Sequence, residues 1–115
     1  MFKGNKPSFN EIINAQTSDG SWKVISLGLF ANVIACENIR DQGVLESLAK
    51  TALAEGADIE IIYVTLLAII ILQKAYVSEE SEAAMIIANA KTYCKKAGVR
   101  NPNAILKKFT LPLRV

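Results

Sequence analysis

Apolar residues return every three or four positions along most of this chain, which is the period of an α-helix and not of a strand. In 8–16, Phe9, Ile12, Ile13 and Gln16 keep that spacing. Ser8 and Glu11 stand three residues apart at its start, the pattern of a capping box. Ser18, Asp19 and Gly20 then predict a turn. A second helix is expected over 26–38, capped by Ser26, with Leu27, Phe30, Ala31, Ile34 and Ala35 as its apolar stripe. Asp41 caps a third, whose inner face is Val44, Leu45, Leu48, Ala49 and Ala52, and Glu55 and Gly56 stop it. Asp58 caps a fourth over 59–77. It is apolar on nearly every side, too long for a strand, and so expected to be surrounded by the others.

The fifth helix is the best specified. Ser78 caps it, Glu79, Glu80 and Glu82 fill its first turn, Lys95 and Lys96 its last, and Gly98 follows. Both charge groups complement the helix dipole. Its inward positions are Ala83, Ile86, Ile87, Ala90, Tyr93, Cys94 and Ala97. Asn101 or Pro102 opens a last short helix through Ile105, Leu106 and Phe109. Pro112 disfavours helix before it, so the end should be extended. The pattern predicts an all-α domain of five or six helices around the 59–77 helix. The expected organisation is a flexible segment at 1–7, a helical domain at 8–98, and a basic helix with an extended tail at 99–115.

Composition narrows the class. The 115 residues suit one domain, and 51% apolar against 21% charged suits a packed core. The apolar run 61–72, broken only by Thr65, is shorter than the roughly 20 residues that span a bilayer. It predicts a core helix and no membrane anchor. Cys36 and Cys94 are too few for a disulfide framework and favour a reducing, cytoplasmic setting, although a single bridge is not excluded. There is no histidine, which excludes an imidazole base and any histidine-containing metal site. No glycine loop for phosphate, calcium loop or paired-cysteine motif is present. The acid pairs Asp58/Glu60 and Glu79/Glu80 fall at helix starts, where capping explains them. The expectation is therefore a protein with no catalytic residues, no metal and no cofactor.

Charge is unevenly placed. Nine acids and three cations occupy 37–82, whereas 91–115 holds seven cations and no acid. Such a basic end suits an acidic protein surface or a phosphate backbone. Within it, Lys107, Lys108, Phe109, Leu111, Leu113 and Arg114 are the candidate partner-binding residues. Phe109, Leu111 and Leu113 are more apolar than a free tail requires. They either fold back over the core or remain free to dock.

The corner Gln16-Thr17-Ser18-Asp19-Gly20-Ser21-Trp22 carries the only tryptophan. Asp19 and Gly20 reverse the chain, the Gln16 amide can bond the turn's backbone, and Trp22 can fold its ring onto the helix just left. Gln16, Asp19, Gly20 and Trp22 make up this structural motif, and its Gln16, Gly20 and Trp22 also fit the Gln-x-x-x-Gly-x-Trp repeat of triterpene cyclases. Those enzymes need many copies and an acidic catalytic motif, which one copy in 115 residues does not supply.

A wider likeness runs over 9–97. It rests on Ile12-Ile13-Asn14-Ala15-Gln16, on Asp19-Gly20-Ser21-Trp22-Lys23, on Tyr63-Val64-Thr65-Leu66-Leu67-Ala68-Ile69 and on Ala90-Lys91-Thr92-Tyr93. In this order the chain resembles the C-terminal helical domain of proteins that carry a vault-protein inter-α-trypsin (VIT) domain and a von Willebrand factor A domain. Tyr63 and Tyr93 stand where that pattern has tryptophans. The resemblance implies a non-catalytic interaction module cut from a longer protein. The comparable region of vault poly(ADP-ribose) polymerase docks on the major vault protein, so that protein is the implied partner. Nucleic-acid binding through 91–115 is the alternative that the charge supports.

Overall fold

In a computed structural model, which describes residues 5–114, the stretch after Asp58 forms one 17-residue helix, α4 (Ile59–Ala75). Asp58 caps it as expected, accepting from the N–H groups of Glu60 and Ile61 at 2.9 and 3.4 Å. Ile62 through Leu72 are buried without a break, so every side of the helix is covered. The covering layer is α1 (Phe9–Asn14), α2 (Leu27–Phe30), α3 (Gln42–Ala49), α5 (Glu80–Lys96) and α6 (Pro102–Leu106). Six α-helices and two short 3-10 turns, and no strand, are found among the described residues, making an all-α domain. None of these helices alone is long and apolar enough to cross a membrane.

Local capping works much as the residues dictate. Ser8 and Glu11 form both bonds of the capping box on α1. Asp41 caps α3, and Asn101 caps α6 with Pro102 in its first turn. Gly98 follows α5 at a φ of +110°, and a Cβ there would lie 2.7 Å from Leu53 Cα. Only glycine satisfies both demands.

Five expectations need correction. The helix expected over 26–38 is only α2, preceded by a 3-10 turn at Val24–Ser26, and Ser26 makes no side-chain cap. Leu27, Phe30 and Ile34 are buried as the stripe required, but after Phe30 the chain runs as a turn through Val33, and 33–35 bond the C-terminal tail in place of a further helical turn. The third helix stops at Ala49, leaving Ala49 and Ala52 exposed. Ser78 does not cap α5: it lies inside a 3-10 turn, Val77–Glu79, and donates to Glu79 Oε2 at 2.7 Å. Phe109 falls beyond α6.

The fourth helix also ends two residues early. Tyr76 leaves the helical region because its side chain is held elsewhere, its hydroxyl donating to the Pro7 carbonyl. Lys6 Nζ meanwhile donates to the Ala75 carbonyl at 2.9 Å, serving one of the orphan acceptors at the end of α4. From there to α5 the chain turns through 97°. Residues 1–4 of the segment expected to be flexible lie outside the described residues. Cys36 is half-buried, Cys94 is buried, and both are free thiols.

Candidate functional site

Two places concentrate the residues singled out above: the corner after α1 and the C-terminal tail. The corner is built by short-range bonds. Gln16 and Trp22 face each other as an antiparallel pair, and the Thr17 N–H donates to the Ser21 carbonyl at 2.8 Å. Gly20 turns the chain at a φ of +94°, packed so tightly that a Cβ would lie 2.4 Å from the Asn89 carbonyl oxygen. Asp19 Oδ1 accepts from the Thr17 hydroxyl, the Ser21 N–H and the Ser21 hydroxyl at 2.5, 3.0 and 2.6 Å. These donors, the Ser21 hydroxyl first, hold its carboxyl below the usual aspartate range.

The corner is then pinned to two helices. Gln16 Nε2 donates to the carbonyls of Gly20 at 3.0 Å and Ile86 at 3.1 Å, tying the turn to α5. Trp22 is 0% exposed, and its indole N–H donates to the Ile12 carbonyl at 2.9 Å, on the helix just left. Its main-chain N–H donates to Thr65 Oγ1 at 3.0 Å, while the Thr65 hydroxyl donates one turn back to Ile61 at 2.8 Å. Thr65 thus gives the central helix a polar handle that locates the corner. The structure brings Gln16, Asp19, Gly20 and Trp22 together.

Beside the corner lies an open cleft of about 570 Å³, lined in part by Asp19, Glu55, Asn89, Tyr93 and Lys96. Nothing in the sequence indicated it, because its walls come from three stretches far apart in the chain. Burial, and then the Asp19 charge, push the Tyr93 hydroxyl upward. Asp19 titrates below and Tyr93 above their ordinary ranges, so neither is tuned near neutrality, where a general acid or base works best. Among the described residues no group of three or more acids or thiols could hold a metal ion.

The tail is folded back on the body. Phe109 lays its ring on Tyr63, with centroids 5.8 Å apart. Leu111 and Leu113 are half-buried against the core. Leu113 pairs with Ile34, the Ala35 N–H donates to Pro112 at 2.8 Å, and the Arg114 N–H donates to Val33 at 2.6 Å. Arg114 also donates through Nη1 to the Asn32 carbonyl at 3.1 Å. Lys107 and Lys108 stay exposed. Of the two fates left open for Phe109, Leu111 and Leu113, the structure has them covering the core in part.

Two residues not read as site residues anchor this arrangement. Asp41, expected only to cap α3, also accepts from the Thr110 N–H and hydroxyl at 2.6 and 3.0 Å. Tyr63 donates its hydroxyl to the Ile39 carbonyl at 2.7 Å and accepts from the Asp41 N–H at 2.9 Å. Burial pushes that phenol up to about 12. Asp41 and Thr110 are 69 positions apart, and no local pattern announces their meeting. Comparisons of this chain with protein-family models, with curated proteins and with solved structures find no match.

Proposed function

We propose that this chain is a non-catalytic protein-interaction module, the C-terminal helical piece of a larger VIT/von Willebrand factor A-type protein, working in the cytoplasm without a cofactor. The observation that carries the reading is the surface strip made by the tail. Lys107 and Lys108 are exposed, and Phe109, Leu111 and Leu113 beside them are half-covered. Apolar area next to a cationic pair suits a protein partner, since the first supplies contact and the second steers the encounter. Support for the family comes from the corner. Its Asp19-Gly20-Ser21-Trp22 turn meets the other stretch of the resemblance where the Trp22 N–H donates to Thr65. The major vault protein is the partner put forward first.

A second reading has its own observation. Lys95, Lys96, Arg100, Lys107 and Lys108 are all exposed along the last turn of α5, the link to α6 and the residues after it. Such a cationic end could follow a phosphate backbone. Salt separates the readings. Purified chain is mixed with purified major vault protein, and separately with single-stranded RNA, at low and high salt. The interaction module retains the vault protein through the high-salt wash, and Leu111→Asp with Leu113→Asp abolishes retention while the helical circular dichroism persists. Retention by that folded double variant would remove the tail from the reading. RNA bound only at low salt would move the basic end to first place. Failure to retain the vault protein at any salt would overturn that partner.

A further inference from the structure

Thr110 sits where the tail is tied to the helical body. Its N–H and its hydroxyl converge on one oxygen of Asp41, Oδ2. The other oxygen, Oδ1, caps α3 through the N–H groups of Gly43 and Val44 at 3.1 and 3.4 Å. Asp41 is only 6% exposed, so its carboxylate is fixed by both duties. Thr110, by contrast, is exposed and lies outside the helices. Lys107 and Lys108 stand three and two residues before it, and Leu111 follows. A hydroxyl placed after a pair of cations and before an aliphatic residue is what a protein kinase with an acidic substrate groove selects.

We infer that Thr110 is a phosphorylation site for such a basophilic kinase, and that phosphate there releases the tail. The inference rests on the tail being the docking segment. In the step, Thr110 Oγ attacks the γ-phosphorus of ATP and a new O–P bond forms. The bond from that phosphorus to the bridging oxygen breaks, and ADP leaves with its electron pair. The hydroxyl proton passes to the kinase's base. The product carries about −1.5 to −2 charge at neutral pH.

That charge lands against the Asp41 carboxylate. The donor hydroxyl is gone, and two anions replace a hydrogen bond. Asp41 cannot withdraw without uncapping α3. Arg40 lines the shallow cleft of about 410 Å³ beside Thr110, but its guanidinium is engaged with Glu60 at 2.6 Å. The weaker element is the tail, held here by the Ala35 and Arg114 N–H bonds and by the Phe109 ring on Tyr63. Nearby, Asn32 Oδ1 is buried without a hydrogen-bond partner, an unfavourable feature of the segment that receives Arg114. Release adds the covered part of Phe109, Leu111 and Leu113 to the strip that is already exposed for a partner.

The test needs no partner, so its failure is distinguishable from failure of the docking reading. The full chain is treated with a basophilic serine/threonine kinase and ATP, and the phosphate is located by fragmentation mass spectrometry. The expected site is Thr110, with incorporation slowed at least about tenfold in the Lys107→Ala, Lys108→Ala variant. Amide exchange by NMR should then quicken at least about tenfold at Ala35 and Arg114, with α4 unchanged. Thr110→Glu should quicken the same amides, and Thr110→Val, which adds no charge, should do so much less. Phosphate found only at other positions would overturn the site. Unchanged exchange would overturn the release, as would slower exchange, the result if Arg40 left Glu60 for the phosphate. Equal effects of Thr110→Val and Thr110→Glu would overturn the role of charge.

Discussion

Trp22 joins three segments through one side chain and one amide, and that makes it the residue whose loss is felt most widely. Its ring fills the core beside Phe30, with centroids 6.4 Å apart, and its two N–H groups serve Ile12 and Thr65. Trp22→Ala should cost about 3–5 kcal/mol, a large share of what a domain this size possesses. Thr65→Val keeps the shape but leaves the Trp22 N–H buried without its acceptor, at about 1–3 kcal/mol, and Thr65→Ser should recover most of it. Urea midpoints measure both. A Thr65→Val variant as stable as the parent would mean that the handle on α4 does not locate the corner. The local half of this site was legible: Gln16, Asp19, Gly20 and Trp22 lie within seven positions, where turn chemistry governs. Thr65 bonds back to its own helix, as a hydroxyl inside an apolar helix commonly does. Its second bond, to Trp22, depends on a packing contact across 43 positions.

Among the elements, α3 and α4 offer a controlled comparison, because each is capped by an aspartate whose Oδ1 accepts from two N–H groups. Asp58 does nothing further in the described hydrogen bonds, whereas Asp41 also holds Thr110. Asp58→Ala should therefore cost about 1 kcal/mol, the ordinary value of a cap. Asp41→Ala should cost about 1 kcal/mol or more beyond that, for the lost tie to the tail. The readout is again the urea midpoint, and equal losses would show that the tie adds no stability. The misread element, 26–38, has a physical cause of the same kind. Its stripe was right, since Leu27, Phe30 and Ile34 are all buried. Its backbone, however, found partners in the tail: the Ala35 N–H donates to the Pro112 carbonyl and the Val33 carbonyl accepts from the Arg114 N–H, bonds that replace those of a continuing helix.

For the molecule as a whole, the buried hydroxyls and thiol set an alkaline limit. Burial pushes Tyr63 and Tyr76 from the ordinary 10.0 up to about 12, and Cys94 from 9.0 up to about 12. Each group holds its proton more tightly folded than unfolded. Their contribution to stability is therefore complete below pH 9.0 and lost as pH rises toward about 12. The urea midpoint should fall steadily across that window, and Tyr63→Phe, which cannot ionise, should flatten part of the fall. A midpoint constant across the window would refute the assignment. Arg40 and Glu60, the one ion pair among the described residues, are both more than a third exposed and should contribute little.

What the sequence determined by itself is whatever is decided within a few turns of chain: helical period, caps, the Asp19-Gly20 turn, and the burial of an all-round apolar segment as the central helix. Those follow from backbone hydrogen bonding and from removal of apolar surface from water, both readable locally. The tertiary structure alone decided where α2 stops, that Asp41 serves two masters, that Lys6 and Pro7 hold the end of α4, and that the tail lies on 33–35. Each of these is a bond between groups about 70 to 80 positions apart. It forms because packing the helices around α4 brings the N-terminal segment to the end of α4 and the tail to 33–41, and no periodicity in either segment encodes that meeting.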